Sequence, residues 1–302
     1  MTLKLHLTGQ PLPETRFTYD WKDCALYALG VGATAGGVDA AALRLTWEAD
    51  PAFAVVPSFA VLPATQMVMD GLRAIDADFR TLVHGAQHLE LHRPLPRPVP
   101  HAVTLRTAGR IAEIQDKGKG AVVVFETETF EVGAEHPAGA REGAAEGPLF
   151  TTRWSIFCRT QGGFGGPRGE KATLPEALAD AAPVAVVVEP TGADQALLYR
   201  LSGDHNPLHV DPALATRVGF ARPILHGLCT YGYAVRAAVA AVAGGDGGRL
   251  AAFGARFADV VYPGEVLSTT VRPTAAADTF VLEVRAGDRV VLDQGVARVR
   301  PA

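Results

Sequence analysis

Two octets 172 residues apart set the frame for this chain: Ala25-Leu26-Tyr27-Ala28-Leu29-Gly30-Val31-Gly32 and Leu197-Leu198-Tyr199-Arg200-Leu201-Ser202-Gly203-Asp204 share Leu, Tyr and Leu at equivalent places. A second match, Pro94-Leu95-Pro96 against Val261-Tyr262-Pro263, recurs at nearly the same separation. Self-similarity at a fixed offset marks duplicated units. The 302 residues, enough chain for about two ordinary domains, are therefore expected to hold tandem copies of one fold. The alternative is chance likeness between two Leu/Tyr helices. The copies differ where chemistry is concerned: Gly32 stands in the place of Asp204, and the place of His209 falls near Gly37. One copy should carry an acid/base pair and the other should bind.

Each copy reads as a short helix, an irregular segment with Pro, a second helix and then several strands. Helices and strands are segregated rather than alternating, which predicts an α+β fold with antiparallel sheet packed on helices, not a doubly wound nucleotide-binding fold. Val122 to Phe130 is β-branched and aromatic, with Glu126 and Glu128 alternating outward, as in a strand with one wet face. Phe280, Leu282 and Val284 alternate with their neighbours, and Ala286-Gly287-Asp288 turns into Val290 to Leu292, a hairpin. Gly133 to Gly147 reads as a loose excursion, and Gly162 to Gly169 introduces a linker without the strand, helix and spacing of a dinucleotide fingerprint. The expected division is a degenerate N-terminal copy over 1–160, a linker over 161–183 and a catalytic copy over 184–302.

The chemistry concentrates between Tyr199 and Tyr233. Pro207 has no N–H, fixes its own φ and pushes Asn206 out of the helical region, so Asp204 and His209 are presented by a loop rather than by one helical face. Gly219 and Pro223 keep the chain irregular up to His226-Gly227, after which Leu228, Tyr231, Val235 and Val239 recur at helical spacing. Gly227 thus offers an unobstructed N–H at a helix N-terminus, suited to a carbonyl oxygen that gains negative charge. In isolation, an Asp ahead of Asn-Pro is also a common turn residue, and Lys117 after Asp116 a common solvated one. Asp204, His205, His209 and Asp211 offer metal-ligating atoms, but Pro207 rules out a helical two-His motif and no thiolate is near, so no metal is expected.

A net charge of −4 and a pI near 6.1 provide no basic field for nucleic acid or an anionic membrane. No window approaches the roughly 20 apolar residues that span a bilayer, and Met1 to Gln10 lack the apolar core of a secretory signal. The three cysteines, Cys24, Cys158 and Cys229, are far apart and without metal spacing, which fits a reducing compartment. The ending Arg300-Pro301-Ala302 is not Ser-Lys-Leu, so a cytoplasmic location is expected.

Tyr199-Arg200-Leu201-Ser202-Gly203-Asp204-His205-Asn206-Pro207-Leu208-His209-Val210-Asp211-Pro212 closely resembles the signature of the hydratase 2, or MaoC-like dehydratase, family. The resemblance continues through Pro223-Ile224-Leu225-His226-Gly227-Leu228-Cys229-Thr230, Ala255-Arg256-Phe257 and Val261-Tyr262-Pro263-Gly264. It reaches the first copy at Leu26 to Gly32, Val83-His84-Gly85-Ala86-Gln87 and Pro94-Leu95-Pro96, and the linker at Gly162 to Gly166, so nearly the whole chain is covered. The chain looks most like the hydratase unit of peroxisomal multifunctional β-oxidation enzymes and its free-standing bacterial counterparts. Ala86, where Glu is usual, and His205, where an aromatic is common, depart from the pattern without touching the catalytic residue types.

The resemblance implies a double hotdog fold, two tandem repeats in which antiparallel sheet wraps a long helix, and homodimers are common in the family. It implies an (R)-specific enoyl-CoA hydratase, with Asp204 and His209 as the catalytic pair, Asn206 positioning them and Gly227 as oxyanion donor. His84, Gly85, Lys117 and Phe257 match family contacts to the coenzyme A thioester, with Lys119 close to Lys117. No cofactor is expected beyond the coenzyme A of the substrate. Which of Asp204 and His209 is base and which acid stays open, since coupled groups titrate as a pair. Dehydration of acyl carrier protein substrates, hydrolysis by a hotdog thioesterase and plain acyl binding are the competing readings, and fold alone does not choose among them.

Overall fold

The computed structural model describes residues 2–133, 147–170 and 173–301, so most of the excursion between Gly133 and Gly147 lies outside the described residues. The chain forms two compact units. One comprises Met1–Thr18, Pro63–Arg93 and Val103–Thr173; the other comprises Tyr19–Leu62, Pro94–Ala102 and Leu174–Ala302.

In the first unit, strands β1 (Thr15–Tyr19), β2 (Leu82–Leu91), β3 (Val103–Asp116), β4 (Ala121–Glu131) and β5 (Phe150–Cys158) lie in the order β1-β3-β4-β5-β2. In the second, β6 (Ala185–Pro190), β7 (Leu250–Phe257), β8 (Val266–Pro273), β9 (Thr279–Ala286) and β10 (Arg289–Val299) lie in the order β6-β8-β9-β10-β7. Both are the same first-third-fourth-fifth-second arrangement, so the duplication read from two short octets extends to the topology. The pairings β2/β5, β3/β4, β4/β5, β6/β8, β8/β9, β9/β10 and β7/β10 are antiparallel. One strand precedes the helices of each copy, which the pattern of helices followed by strands did not include. The expected hairpin is present: Ala286 pairs with Arg289 across Gly287-Asp288, with Gly287 at φ 59°, a value glycine adopts without strain.

The two octets that reveal the repeat meet inside the second unit. Tyr27, on α1 (Trp21–Gly30), and Tyr199, at the end of a later short helix, are both buried with ring centroids 6.0 Å apart. The short α2 (Ala40–Thr46) follows α1 in the same unit, its N-terminus capped by Asp39, which accepts from Ala42 N–H at 2.8 Å.

Each sheet packs a helix. In the first unit it is α3 (Thr65–Ala74), which buries Met67, Val68, Gly71 and Leu72. A Cβ on Gly71 would lie 2.5 Å from Phe125 Cε1, so the absent side chain sets how closely helix and sheet approach. The second unit continues with α4 (Gln195–Tyr199) and α5 (Pro212–Arg217). Its sheet packs the 16-residue α6 (Gly227–Val242), buried on nearly every side, as expected of a helix apolar all round. Tyr231, fully buried, donates from its hydroxyl to Phe253 O at 2.7 Å and meets the Phe253 ring edge-on at 5.0 Å. Fully burying a side chain such as Val235 is worth about 1.5–3 kcal/mol.

Gln195 Nε2 donates to Leu29 O and Gly30 O at 3.1 and 2.7 Å, capping the carbonyl end of α1. The Gly162 to Gly169 segment is held by Asp116, whose carboxylate accepts from the N–H groups of Gly118, Gly163 and Gly165 at 2.8, 2.9 and 2.7 Å.

Candidate active site

The loop that presents the acid/base pair is built by backbone restraint. A 3-10 turn over Arg200–Ser202 ends at Gly203 with φ 123°. Asn206 sits at φ −55°, ψ 121°, outside the helical region as Pro207 requires, and a second 3-10 turn follows over Pro207–His209 where the sequence suggested a non-helical turn. Asn206 serves twice. Its N–H donates to Asp204 Oδ1 at 3.1 Å, and its own Oδ1 accepts from Leu208 N–H at 3.0 Å. Asp211 caps the short helix α5, accepting from Ala213 and Leu214 at 2.8 and 3.2 Å, so its carboxylate is engaged as an N-cap.

His209 is 9% exposed, and its Nδ1 lies 2.9 Å from Ile224 O. A carbonyl oxygen only accepts, so Nδ1 carries the hydrogen and Nε2 keeps its lone pair. Burial lowers the pKa of His209, with the Asp204 charge and the Ile224 bond pulling the other way, and the ring is neutral at neutral pH.

A second imidazole stands against it. The His226 and His209 rings are stacked, centroids 3.7 Å apart and planes 26° apart, while His226 Nε2 lies 3.1 Å from the main-chain oxygen of Asp204. Burial, and then the His209 charge, push the His226 pKa down to about 3, opposed by Asp204. In the sequence, His226 marks only a helix start. The available signal is its place: it is the N-cap of α6, where Ser, Thr, Asp or Asn is preferred, and its side chain makes no capping bond.

Gly227 opens α6. Cys229 and Thr230 donate to His226 O at 3.1 and 3.3 Å, and the Gly227 N–H, in the first turn, has no backbone acceptor among the described residues. A Cβ on Gly227 would sit 3.3 Å from the Phe257 ring, so Phe257, at the end of β7, covers the glycine.

A family model described as the MFE-2 hydratase 2 N-terminal domain matches residues 17–159, and one described as a MaoC like domain matches residues 175–293. The chain belongs to the MaoC-like hydratase 2 family. Among members of known sequence, it is 42% identical to the 3-hydroxyacyl-thioester dehydratase Y of Mycobacterium tuberculosis over 92% of each chain. It is 36% identical to the peroxisomal enoyl-CoA hydratase 2 of Arabidopsis thaliana over 95% of this chain and 92% of the relative. A MaoC-like dehydratase from Phytophthora capsici superposes with a TM-score of 0.81 at 28% identity over 98% of both chains. The fold of this MaoC-like chain is the double hotdog.

The second unit thus gathers Asp204, Asn206, His209, Gly227 and Phe257. The remaining positions expected to meet the thioester lie in the first unit. His84 Nε2 is 3.2 Å from Ala86 O and its ring stacks on Trp154 at 5.1 Å. Gly85 is the extra residue where the β2/β5 register shifts between His84 and Ala86. Lys117 Nζ donates to Arg168 O. Potential ligand atoms of Asp204, His209 and His226 lie within 4.8 Å of one another. A metal must lie in the plane of each imidazole that binds it, and the planes of two stacked rings with centroids 3.7 Å apart and a 26° tilt meet only well beyond the ring edges.

Proposed function

We propose that this protein catalyses the reversible syn addition of water to trans-2-enoyl-CoA, giving (R)-3-hydroxyacyl-CoA. The observation that carries the reading is the bare Nε2 of neutral His209, beside the Asp204 carboxylate and in the unit that also presents the Gly227 N–H. Water oxygen bonds to C3 as its proton passes to His209 Nε2. The C2=C3 pair moves toward the thioester carbonyl, whose oxygen gains charge against Gly227 N–H. The enolate pair then takes the same proton at C2 on the same face, restoring His209. Asp204 orients the water and stabilises the transient imidazolium; Asn206 holds Asp204. The names of the dehydratase and hydratase relatives describe the two directions of this reaction. General acid/base help is worth about 10²- to 10⁴-fold and one oxyanion donor about 10²- to 10³-fold.

We assign contacts with the coenzyme A thioester to His84, Gly85, Lys117 and Phe257. The reaction as written needs no metal or cofactor. We further propose a homodimer, and a cytoplasmic setting consistent with the free, buried Cys24, Cys158 and Cys229. Among the described residues no helix is long and apolar enough to cross a membrane.

Loss of enoyl absorbance with trans-2-enoyl-CoA, chiral analysis of the product and a thiol assay in parallel test the reading. Approach to an equilibrium with (R)-hydroxyacyl product supports it. Release of free coenzyme A without hydration would make the protein a thioesterase, a reading that α6 does not favour, since it carries no Asp or Glu.

A further inference from the structure

The hydration mechanism makes no use of His226, although no side chain of the site is more deeply enclosed. It is 1% exposed, stacked 3.7 Å from His209, and 4.9 Å from the Tyr199 ring. Its Nε2 faces the Asp204 carbonyl at 3.1 Å and so carries the hydrogen; Nδ1 is then bare, buried and without a hydrogen-bond partner among the described residues. An unmet buried acceptor is unfavourable, so packing alone would favour a purely apolar ring here. What an apolar ring cannot supply is the N–H to Asp204 O. Three links of His226 run to the machinery: to the main chain of Asp204, to the face of His209, and through its peptide bond to Gly227.

We propose that His226 is a positioning residue for the hydration described above, a neutral imidazole that holds the Asp204 loop, the His209 ring and the Gly227 N–H in one fixed arrangement. This rests on the hydratase reading and adds a role for a residue outside the reacting groups. The ionisable groups around it are His209, Asp204, Arg200 and the Tyr199 phenol. Neutrality suits this role, because a charged His226 would oppose the imidazolium that His209 becomes during turnover, whereas a neutral ring face accommodates it. The Nε2–H bond spans 22 residues of sequence and fastens the Asp204 turn to the start of α6.

The test uses the full chain with His226→Phe, which keeps a flat ring but removes the N–H. Two readouts are taken: kcat and KM for trans-2-enoyl-CoA, and the ¹⁵N spectrum of His209, assigned by its loss in His209→Gln. The expected result is kcat lower by about 10²-fold, the scale of a small misplacement of reacting groups, at little-changed KM. The spectrum should move from a single Nδ1–H tautomer to a mixture. Wild-type kcat and an unaltered His209 spectrum would overturn the proposal, as would a fall in kcat with that spectrum unchanged. If the Phe variant does not fold, the same readouts on His226→Gln, which loses the stacked ring but keeps an N–H donor, decide in the same way. A wild-type protein without hydratase activity would refute the hydratase reading instead, while the spectrum still reports whether His226 holds the His209 ring against Ile224 O.

Discussion

The Nδ1 atom of His209 lies 2.9 Å from the carbonyl oxygen of Ile224, and this contact decides which nitrogen of the ring is free to accept a proton. Because burial lowers its pKa, the bare Nε2 persists to a pH below the ordinary histidine value near 6.5. The acid limb of kcat/KM should accordingly have its midpoint below 6.5, and His209→Gln should lose about 10²-fold or more in kcat. A pH–rate profile with an acid midpoint above 6.5 would contradict the assignment.

Asp204→Asn preserves the oxygen that accepts from Asn206 N–H, so the loop should survive while its charge is lost. Turnover is expected to fall by about 10²- to 10⁴-fold with KM nearly constant, the pattern of an interaction made in the transition state. Since the Asp204 charge raises the His209 pKa, its removal should shift the titration of His209 further down. Steady-state kinetics and histidine NMR on the variant check both.

Acid should unfold the protein partly through its buried histidines. Both His209 and His226 have lowered folded pKa values, so the unfolded chain binds protons first as pH drops below about 6.5. Their contribution is whole above that pH and is lost progressively below it, down to about pH 3 for His226. Thermal melts across this range should show Tm falling with pH, and His226→Phe should flatten the dependence.

Gly227→Ala introduces a Cβ 3.3 Å from the Phe257 ring, a contact that the ring must yield to. The N–H remains, but the Phe257 ring that covers Gly227 must shift. The ring has to give by only a few tenths of an ångström, so the loss in kcat/KM is expected to stay below the roughly 10²-fold of a misplacement of about 1 Å. Gly227→Ala/Phe257→Ala should recover kcat while KM rises, since Phe257 is also assigned to the thioester. No recovery in the double variant would show that Phe257 is not the obstruction.

Gly71→Ala tests the first unit separately from the chemistry. Alanine favours a helix by about 1 kcal/mol. Its Cβ would nevertheless meet Phe125 Cε1 at 2.5 Å and Leu12 Cδ1 at 3.1 Å. Overpacking of this kind costs about 1–3 kcal/mol, so the variant is expected to be less stable by denaturant titration. A rise in stability would show that α3 can move off the sheet freely.

Asp204, Asn206, His209 and Gly227 are legible because the restraints on them are local: Pro207 acts on its immediate neighbours, and a glycine before a helical repeat announces a free N–H. The role of His226 is not, because its partners Asp204 and His209 reach it only through the fold. The edge strands β1 and β6 are equally hidden. They are five and six residues long, too short for period-2 alternation to stand out.

By itself the sequence determined that one fold is present twice, that one copy retains a carboxylate and an imidazole on a restrained loop, and that a helix begins at Gly227. Only the tertiary structure decided that α1 joins the second unit, that Tyr27 meets Tyr199, that His209 offers Nε2, and that His226 stacks upon it. Backbone preferences act over a few residues and are written in local composition. A tautomer or a stacked ring depends on atoms brought together across 15 residues for Ile224 and His209, or 22 for Asp204 and His226, and nothing short of the packed chain specifies them.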